Sequence, residues 1–298
     1  MKLVLASKVL ITGIDSFTGG HLSKHLSSLG YDVYGTVIRG GDGITCFNCD
    51  ITKVQQCKDV LSSVKPEYVI HLAGISYVGH DNTEAFYQVN TLGTQNLLDA
   101  LVASNSVLKK VILASSATVY GDQGREVLDE SMCPQPANHY GISKLAMEHA
   151  ARTFFSRLPI IIVRPFNYTG VEQPEHFLVP KIVSHFKRKE SVIELGNLHV
   201  SREFNDVSLA CDIYTKLLQC DTSGEIVNLC SGQAISLMEI IELMNTIAEY
   251  EINVRVNPAF MRANEIKRLV GSTIQLEQLI GKITPIALEQ TLRTMYEA

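Results

Sequence analysis

Lys8-Val9-Leu10-Ile11-Thr12-Gly13-Ile14-Asp15-Ser16-Phe17-Thr18-Gly19-Gly20 is the stretch on which the fold turns. A short β-prone apolar run is broken at Thr12-Gly13, and helix-period residues begin at Phe17. A strand that leaves through a glycine turn into a helix presents the first N–H groups of that helix and the positive end of its dipole. Such a place suits a pyrophosphate when glycine lets the backbone approach. Gly13 and Gly19 fit the first and last glycines of a Gly-x-x-Gly-x-x-Gly loop, with Ser16 in the middle position. The serine brings a Cβ toward the phosphates and a hydroxyl that can bond them. Taken alone, glycines after a strand are equally ordinary turn punctuation, and the setting between strand and helix is what gives them meaning.

Outward from this loop, β-rich apolar runs alternate with helix-period segments, the signature of a parallel sheet covered on both faces. The pattern predicts strands at Lys8 to Thr12, Asp32 to Val37, Ile44 to Phe47, Tyr68 to Leu72, Lys110 to Ala114 and Ile160 to Arg164. It predicts helices over Phe17 to Leu29, Lys53 to Val64 with Thr52 as cap, Glu84 to Ser104 and His139 to Phe155. After Pro165 the pattern loosens through Gly196, then returns to helix at Val207 to Gln219 and an apolar run at Ile226 to Cys230. Further helices are predicted near Leu237 to Tyr250, Ser272 to Ile280 and Leu288 to Glu297. The fold expected is α/β: a Rossmann-type doubly wound parallel sheet with a smaller mixed α/β lobe. Residues 1–165, rejoined by about 206–235, form the dinucleotide-binding domain, and 166–298 are mainly the substrate lobe, with the cleft between them.

With 298 residues, 46% hydrophobic and 19% charged, the composition is that of a globular chain long enough to bury a core without metal or disulfide. Lysine and arginine total 26 against 31 acids, and the formal net charge of -5 disfavours nucleic acid as a partner. No run approaches a signal peptide or a membrane span. The 7 cysteines are an odd number in apolar or helical contexts, read as reduced thiols of a cytoplasmic protein. Cys46-Phe47-Asn48-Cys49 is only half of a tetrahedral ligand set, and no second pair or His cluster completes a metal site.

The second predicted strand ends in Thr36-Val37-Ile38-Arg39, without the acid that accepts from both ribose hydroxyls. An Arg there suits a 2′-phosphate, which favours NADP(H) over NAD(H). Asp50, in Cys49-Asp50-Ile51-Thr52, is placed either to accept from an adenine amino group or simply to cap the next helix. His71-Leu72-Ala73-Gly74 ends in small residues and leaves room across the carboxyl edge of the sheet. Tyr140-Gly141-Ile142-Ser143-Lys144 puts Tyr and Lys on one side of a helix, where an ammonium is expected to lower the phenol pKa. Ala114-Ser115-Ser116-Ala117-Thr118-Val119-Tyr120-Gly121 puts hydroxyls at the exit of the fifth strand, and Ser116 becomes a candidate to bond a reacting carbonyl. Without the other motifs this would be a Ser-rich strand exit and no more.

Together these motifs resemble the extended short-chain dehydrogenase/reductase family of nucleotide-sugar enzymes, over essentially the whole length. To those already quoted are added Val89-Asn90-Thr91-Leu92-Gly93-Thr94 and Arg164-Pro165-Phe166-Asn167. By that resemblance Ser116, Tyr140 and Lys144 carry the reaction, Thr118 lies beside the sugar, Asn90 supports the site, and Lys144 also binds the nicotinamide ribose. The resemblance gathers Gly13, Ser16, Phe17, Gly19, Ile51, Leu72, Ala73 and Gly74 round the dinucleotide, and Ser76, Tyr77, Val78, Asn167 and Phe177 round the sugar.

Within the family the later segments are similar to reductases of GDP-4-keto-6-deoxy-D-mannose that form GDP-D-rhamnose. The carrying residues are Val200 to Val207, Val227 to Gln233 and Asn257 to Glu265. Arg202 and Arg262 offer planar forks suited to a diphosphate, with Lys181 as a third cation and Glu265 as an acceptor for ribose hydroxyls. Gly281-Lys282-Ile283-Thr284-Pro285 lacks a Trp common there, which bears on packing.

The resemblance implies NADPH-dependent reduction of the C4 ketone of a nucleoside-diphosphate 4-keto-6-deoxyhexose, in deoxysugar synthesis for surface polysaccharide, by a homodimer. Related 4,6-dehydratases carry a Glu at the position of Thr118 to remove the C5 proton, and a threonine hydroxyl is too weak a base for elimination. A dTDP-sugar reductase, a nucleotide-sugar 4-epimerase and a non-catalytic NADP-binding regulator are the alternatives.

Overall fold

The structure, a computed structural model, describes residues 6–76, 81–104, 106–198, 200–260 and 266–298. Strands β1 (Lys8–Thr12), β2 (Asp32–Val37), β3 (Cys46–Asn48), β4 (Tyr68–His71), β5 (Lys110–Ala114) and β6 (Ile160–Pro165) carry the first half of the chain. Helices α1 (Phe17–Ser28), α2 (Val54–Val64), α3 (Thr83–Phe86), α4 (Thr94–Ala103) and α5 (His139–Arg152) connect them. The second half runs β7 (Tyr168–Thr169), α6 (Leu178–Lys187), β8 (Val192–Leu195), β9 (Ser201–Arg202), β10 (Asn205–Asp206), α7 (Val207–Gln219), β11 (Glu225–Leu229) and β12 (Ile235–Ser236). It ends in α8 (Leu237–Ala248), β13 (Asn253–Val256), β14 (Arg268–Leu269), α9 (Ile274–Ile280) and α10 (Leu288–Glu297).

Seven parallel strands form the central sheet in the order β11-β6-β5-β4-β1-β2-β3. Side-chain alternation divides its two faces. Leu10, Val69, Val111, Leu113, Ile160 and Ile162 pack with α2, α4 and α5. Val9, Ile11, Ile70, Ile112, Ile161 and Val163 pack with α1, α7 and α9. Near-continuous apolar runs in these strands follow from burial on both sides. A separate cluster of Val179, Ile182, Phe186, Ile193, Ile240, Met244 and Leu292 forms the core under α6, α8 and α10.

Several local expectations are corrected. Pairing of the third strand starts at Cys46, not Ile44, because the Asp42 carboxylate takes the N–H groups of Ile44, Thr45 and Cys46 at 2.7, 2.8 and 2.8 Å and curls the chain there. Thr52 does not cap α2: its own N–H and hydroxyl donate to Asp50 Oδ1 at 2.9 and 2.7 Å, and the helix opens at Val54 with Lys53 in the cap position. The segment predicted as one helix from Glu84 to Ser104 contains a π-helical turn, Tyr87–Gly93, between α3 and α4. The loosened stretch after Pro165 contains α6, whose apolar Leu178, Val179, Ile182, Val183 and Phe186 do recur at helical spacing round a Pro180 tolerated in the first turn, and the short β8. Cys49 is buried with its Sγ 4.0 Å from that of Cys57 on α2, while Cys46 is half-buried.

Candidate active site

The strand order reverses at β1, which lies between β2 and β4. Ligands of open α/β sheets lie outside the carboxyl ends of the strands at such a point. Gly13 has φ +70°, and a Cβ on it would stand 3.0 Å from Ala73 Cα; one on Gly19 would meet the Gly13 carbonyl oxygen at 2.4 Å. The turn closes on α1 only with glycine at both positions. The Thr36 carbonyl accepts from Gly13 N–H at 2.9 Å and Ile14 N–H at 3.1 Å. Ser16 caps α1 by accepting the Gly19 N–H at 3.1 Å, which uses an oxygen lone pair and not the O–H. Backbone donors, dipole and a side chain that leaves space make this a cradle into which a pyrophosphate fits. Phe17 stacks on Tyr168 with ring centroids 6.3 Å apart. Arg39 is exposed beyond the end of β2. Ile51 turns its side chain into the core, so a ligand contact there falls to its backbone.

Asn138 starts α5 by accepting the Gly141 N–H at 2.9 Å, and from this cap Tyr140 and Lys144 take their common face. Both side chains are buried. The Lys144 ammonium donates to the Ala114 carbonyl at 2.8 Å. Burial lowers its pKa from the ordinary 10.5 to about 8, against a smaller upward pull from Glu148. Tyr140 departs from the sequence expectation. Burial raises its phenol above the usual 10, with only a hydrogen bond to the Ser116 side chain acting against it. Ser116 itself accepts from the Thr118 N–H at 3.2 Å and from the Thr118 hydroxyl at 2.9 Å, which leaves its own O–H to be directed elsewhere.

A directed chain of hydrogen bonds ties the exit of β4 to these groups. Ala73 N–H donates to Thr12 Oγ1 at 3.2 Å, and Thr94 Oγ1 donates to the Asn90 carbonyl at 2.8 Å. Between them lies His71, 2.7 Å from Thr12 Oγ1 through Nδ1 and 2.9 Å from Thr94 Oγ1 through Nε2. Because the Thr94 proton is already committed, Nε2 donates and Nδ1 accepts. The imidazole is neutral, its pKa pushed down to about 3 by burial and the Lys144 charge. Asn90, wholly buried in the π turn, accepts from Ile75 N–H at 2.8 Å and donates to the Ile75 carbonyl and to Ser143 Oγ, both at 3.1 Å. A Cβ on Gly74 would lie 2.8 Å from Asn90 Oδ1 and 3.4 Å from Lys144 Nζ, so the small residues after β4 make room for these two groups.

Toward the second lobe, Ser76 and Asn167 are exposed, and Phe177 stands at the start of α6 with its ring 4.3 Å from that of His176. Lys181 donates to the Glu194 carbonyl at 2.8 Å and lies 4.3 Å above the Phe260 ring. Arg202 Nη1 donates to the Ser201 carbonyl at 2.9 Å. Tyr77, Val78, Arg262 and Glu265 lie outside the described residues.

Comparison with known proteins bears on this arrangement. Residues 10–295 match the protein family described as GDP-mannose 4,6 dehydratase. The chain belongs to this family of extended short-chain dehydrogenase/reductases. It is 35% identical to a GDP-6-deoxy-D-talose 4-dehydrogenase of Aggregatibacter actinomycetemcomitans, over 92% of this chain and 91% of that one. It is 31% identical to a GDP-6-deoxy-D-mannose reductase of Pseudomonas aeruginosa, over 98% and 96%. The structure of RMD from that species, complexed with NADPH, superposes with a TM-score of 0.87 at 29% identity, covering 98% of each chain. A crystal structure from Burkholderia cenocepacia J2315, provisionally ascribed to an epimerase, gives 0.91 at 40% identity, covering 98% and 97%.

Three buried polar groups have roles that the motifs do not show: Ser115 and His71, which lie inside them, and Glu148, which lies outside, with His71 linking two threonines. Glu148 was the most accessible of these, since it repeats the four-residue spacing of Tyr140 and Lys144. For Lys144 the linkage sign is clear. Its folded pKa lies below its unfolded value, so at pH 7 burial of the ammonium costs stability, and that cost is relieved as pH rises from about 8 through 10.5. Lys144→Met is therefore predicted to stabilise the protein at pH 7 by about 1–3 kcal/mol, a gain that shrinks toward pH 10. Urea denaturation at the two pH values checks it, and a destabilised variant at pH 7 would contradict it.

Proposed function

We propose that the protein is an NADPH-dependent 4-ketoreductase acting on a nucleoside-diphosphate 4-keto-6-deoxyhexose, with GDP-4-keto-6-deoxy-D-mannose as the preferred substrate and GDP-D-rhamnose or its C4 epimer as product. The observation that carries the reading is the pairing of a phenol held protonated at Tyr140 with a hydroxyl at Thr118. A protonated Tyr140 can give its proton to the carbonyl oxygen as that oxygen gains charge, while Ser116 donates a hydrogen bond to the same oxygen. The nicotinamide, when bound, supplies the hydride to C4. Lys144 charges the site and offers N–H donors to a ribose. Thr118 cannot serve as the base that 4,6-elimination needs, so the activity for which the family is named is disfavoured here. Two relatives carry names built on 6-deoxy-D-mannose and 6-deoxy-D-talose, sugars that differ at C4 alone and share one 4-keto precursor.

The sheet lobe is the part we assign to the dinucleotide and the α6–α10 lobe to the nucleotide sugar. The relative complexed with NADPH supports the cofactor class, and Arg39 at the end of β2 supports the phosphorylated form. The 40% identity to a structure provisionally ascribed to an epimerase makes 4-epimerisation the second reading. A homodimer through the π turn, α4 and α5 is supported by Leu92 and Ile142, which lie 50% and 38% exposed on these elements.

Purified protein should oxidise NADPH in the presence of GDP-4-keto-6-deoxy-D-mannose, and Tyr140→Phe should lower kcat by about 10²–10⁴ with KM little changed. No oxidation with either GDP- or dTDP-4-ketosugars, together with C4 inversion of a nucleotide sugar, would replace the reductase by an epimerase. Arg39→Ala should raise KM for NADPH about tenfold or more while leaving KM for NADH within twofold; an equal effect on both would refute the 2′-phosphate contact. Sedimentation equilibrium at micromolar protein should give twice the chain mass, and a monomer would refute the dimer.

A further inference from the structure

Behind the Tyr140–Lys144 face lies a buried ion pair that the proposed chemistry does not use. Glu148 is one helical turn beyond Lys144 and two beyond Tyr140, so the three share a side of α5. The side chains of Glu148 and Arg164 are 1% and 2% exposed. Arg164 Nε donates to Glu148 Oε1 at 2.9 Å and Nη2 to Oε2 at 2.7 Å. A third donor, Ser115 Oγ, reaches Oε1 at 2.5 Å. Arg164 belongs to β6, and its guanidinium lies 4.7 Å over the Tyr120 ring.

Ser115 is the chain neighbour of Ser116 at the exit of β5. Its N–H donates to the Val163 carbonyl of β6 at 2.7 Å, its hydroxyl to Glu148 of α5, and the preceding carbonyl, Ala114, accepts from Lys144 at 2.8 Å. Residues 114 and 115 are thereby fixed to both neighbouring elements, and Ser116 is the first residue beyond them. Desolvating two charges is costly, and a buried ion pair replaced by apolar residues often leaves stability unchanged or improved. Stability alone thus gives no reason for this pair, whereas geometry does. An error of about 1 Å in the placement of reacting groups can cost about a hundredfold in rate.

We propose that Ser115, Glu148 and Arg164 form a positioning clamp that sets the approach of Ser116 to Tyr140. The consequence for turnover rests on the ketoreductase reading; the geometry does not. Tyr140 faces Ser116 at the β5 exit, Lys144 follows one turn on along the same helix, and the phenols of Tyr168 and Tyr214 from β7 and α7 lie close enough for Tyr140 to disfavour their ionisation. Of these, Ser116 is the group the clamp places.

Ser115→Ala removes one hydroxyl and leaves the ion pair intact; Ser115→Thr restores the hydroxyl. Ser115→Ala should lower kcat about ten- to a hundredfold with KM for sugar and cofactor within twofold, and Ser115→Thr should regain most of the loss. The Tyr140 phenolate, read as an ultraviolet difference titration against Tyr140→Phe in the same background, should emerge at higher pH in Ser115→Ala, because the bond from Ser116 that favours phenolate is loosened. Glu148→Leu with Arg164→Met removes both charges together; it should fold with stability near the wild type yet show the same loss of kcat. An unchanged kcat in Ser115→Ala, or an unshifted Tyr140 titration, overturns the clamp. The titration needs no substrate, so a protein that reduces no 4-ketosugar would sink the functional reading and leave the clamp to be decided by the phenol.

Discussion

Lys144 carries its ammonium into the interior between α5 and the exit of β5, and the surrounding polar groups are arranged round that charge. A buried cation without compensation would simply lose its proton. Here the Ala114 carbonyl accepts from it, Glu148 lies one turn away, and the pKa settles at about 8. The same charge, with burial, keeps His71 neutral, and the bond from the Thr94 hydroxyl to the Asn90 carbonyl selects the tautomer that joins Thr12 to Thr94. Burial of Tyr140 in the same place keeps its phenol protonated. A protonated acid beside a cation near its titration point is a poised arrangement, and its poise comes from low dielectric more than from any single contact.

The second lobe is joined to this edge by another buried carboxylate. Glu203, wholly buried, accepts from the N–H groups of Ser231 at 2.7 Å and Gly271 at 2.7 Å and from Asn205 Nδ2 at 3.0 Å. These donors come from the loop after β11, the chain after β14, and β10, so one side chain ties the lobe to the edge strand of the sheet. Burial raises the Glu203 carboxyl above its ordinary range while the backbone and side-chain donors pull it back.

Legibility in the sequence differed by the range of the interaction involved. Thr12-Gly13 through Gly19, the strand runs of β1, β2, β4, β5 and β6, and the Tyr140/Lys144 spacing rest on local geometry, where period and turn chemistry suffice. Thr52 was misread as a cap because Asp50 competes for its donors, a choice between neighbours of equal propensity. The π turn at Tyr87–Gly93 did not stand out, since the phase shift made by one added residue is too small to tell from ordinary irregularity over a single turn. The raised phenol of Tyr140 was missed for a different reason: its sign depends on how deeply the ring is buried, and spacing carries no information on depth.

Sequence by itself determined the α/β class, the glycine turn at the head of α1, the family to which the chain belongs, and the absence of a glutamate at Thr118. Each of these is written in residue identity at fixed spacing. Tertiary structure alone decided that Ser115, Glu148 and Arg164 meet behind the site, that His71 bridges two threonines from different elements, and that Lys144 is buried enough to titrate near pH 8. Those outcomes depend on distances between segments far apart in the chain and on exclusion of water, and both are properties of the packed molecule.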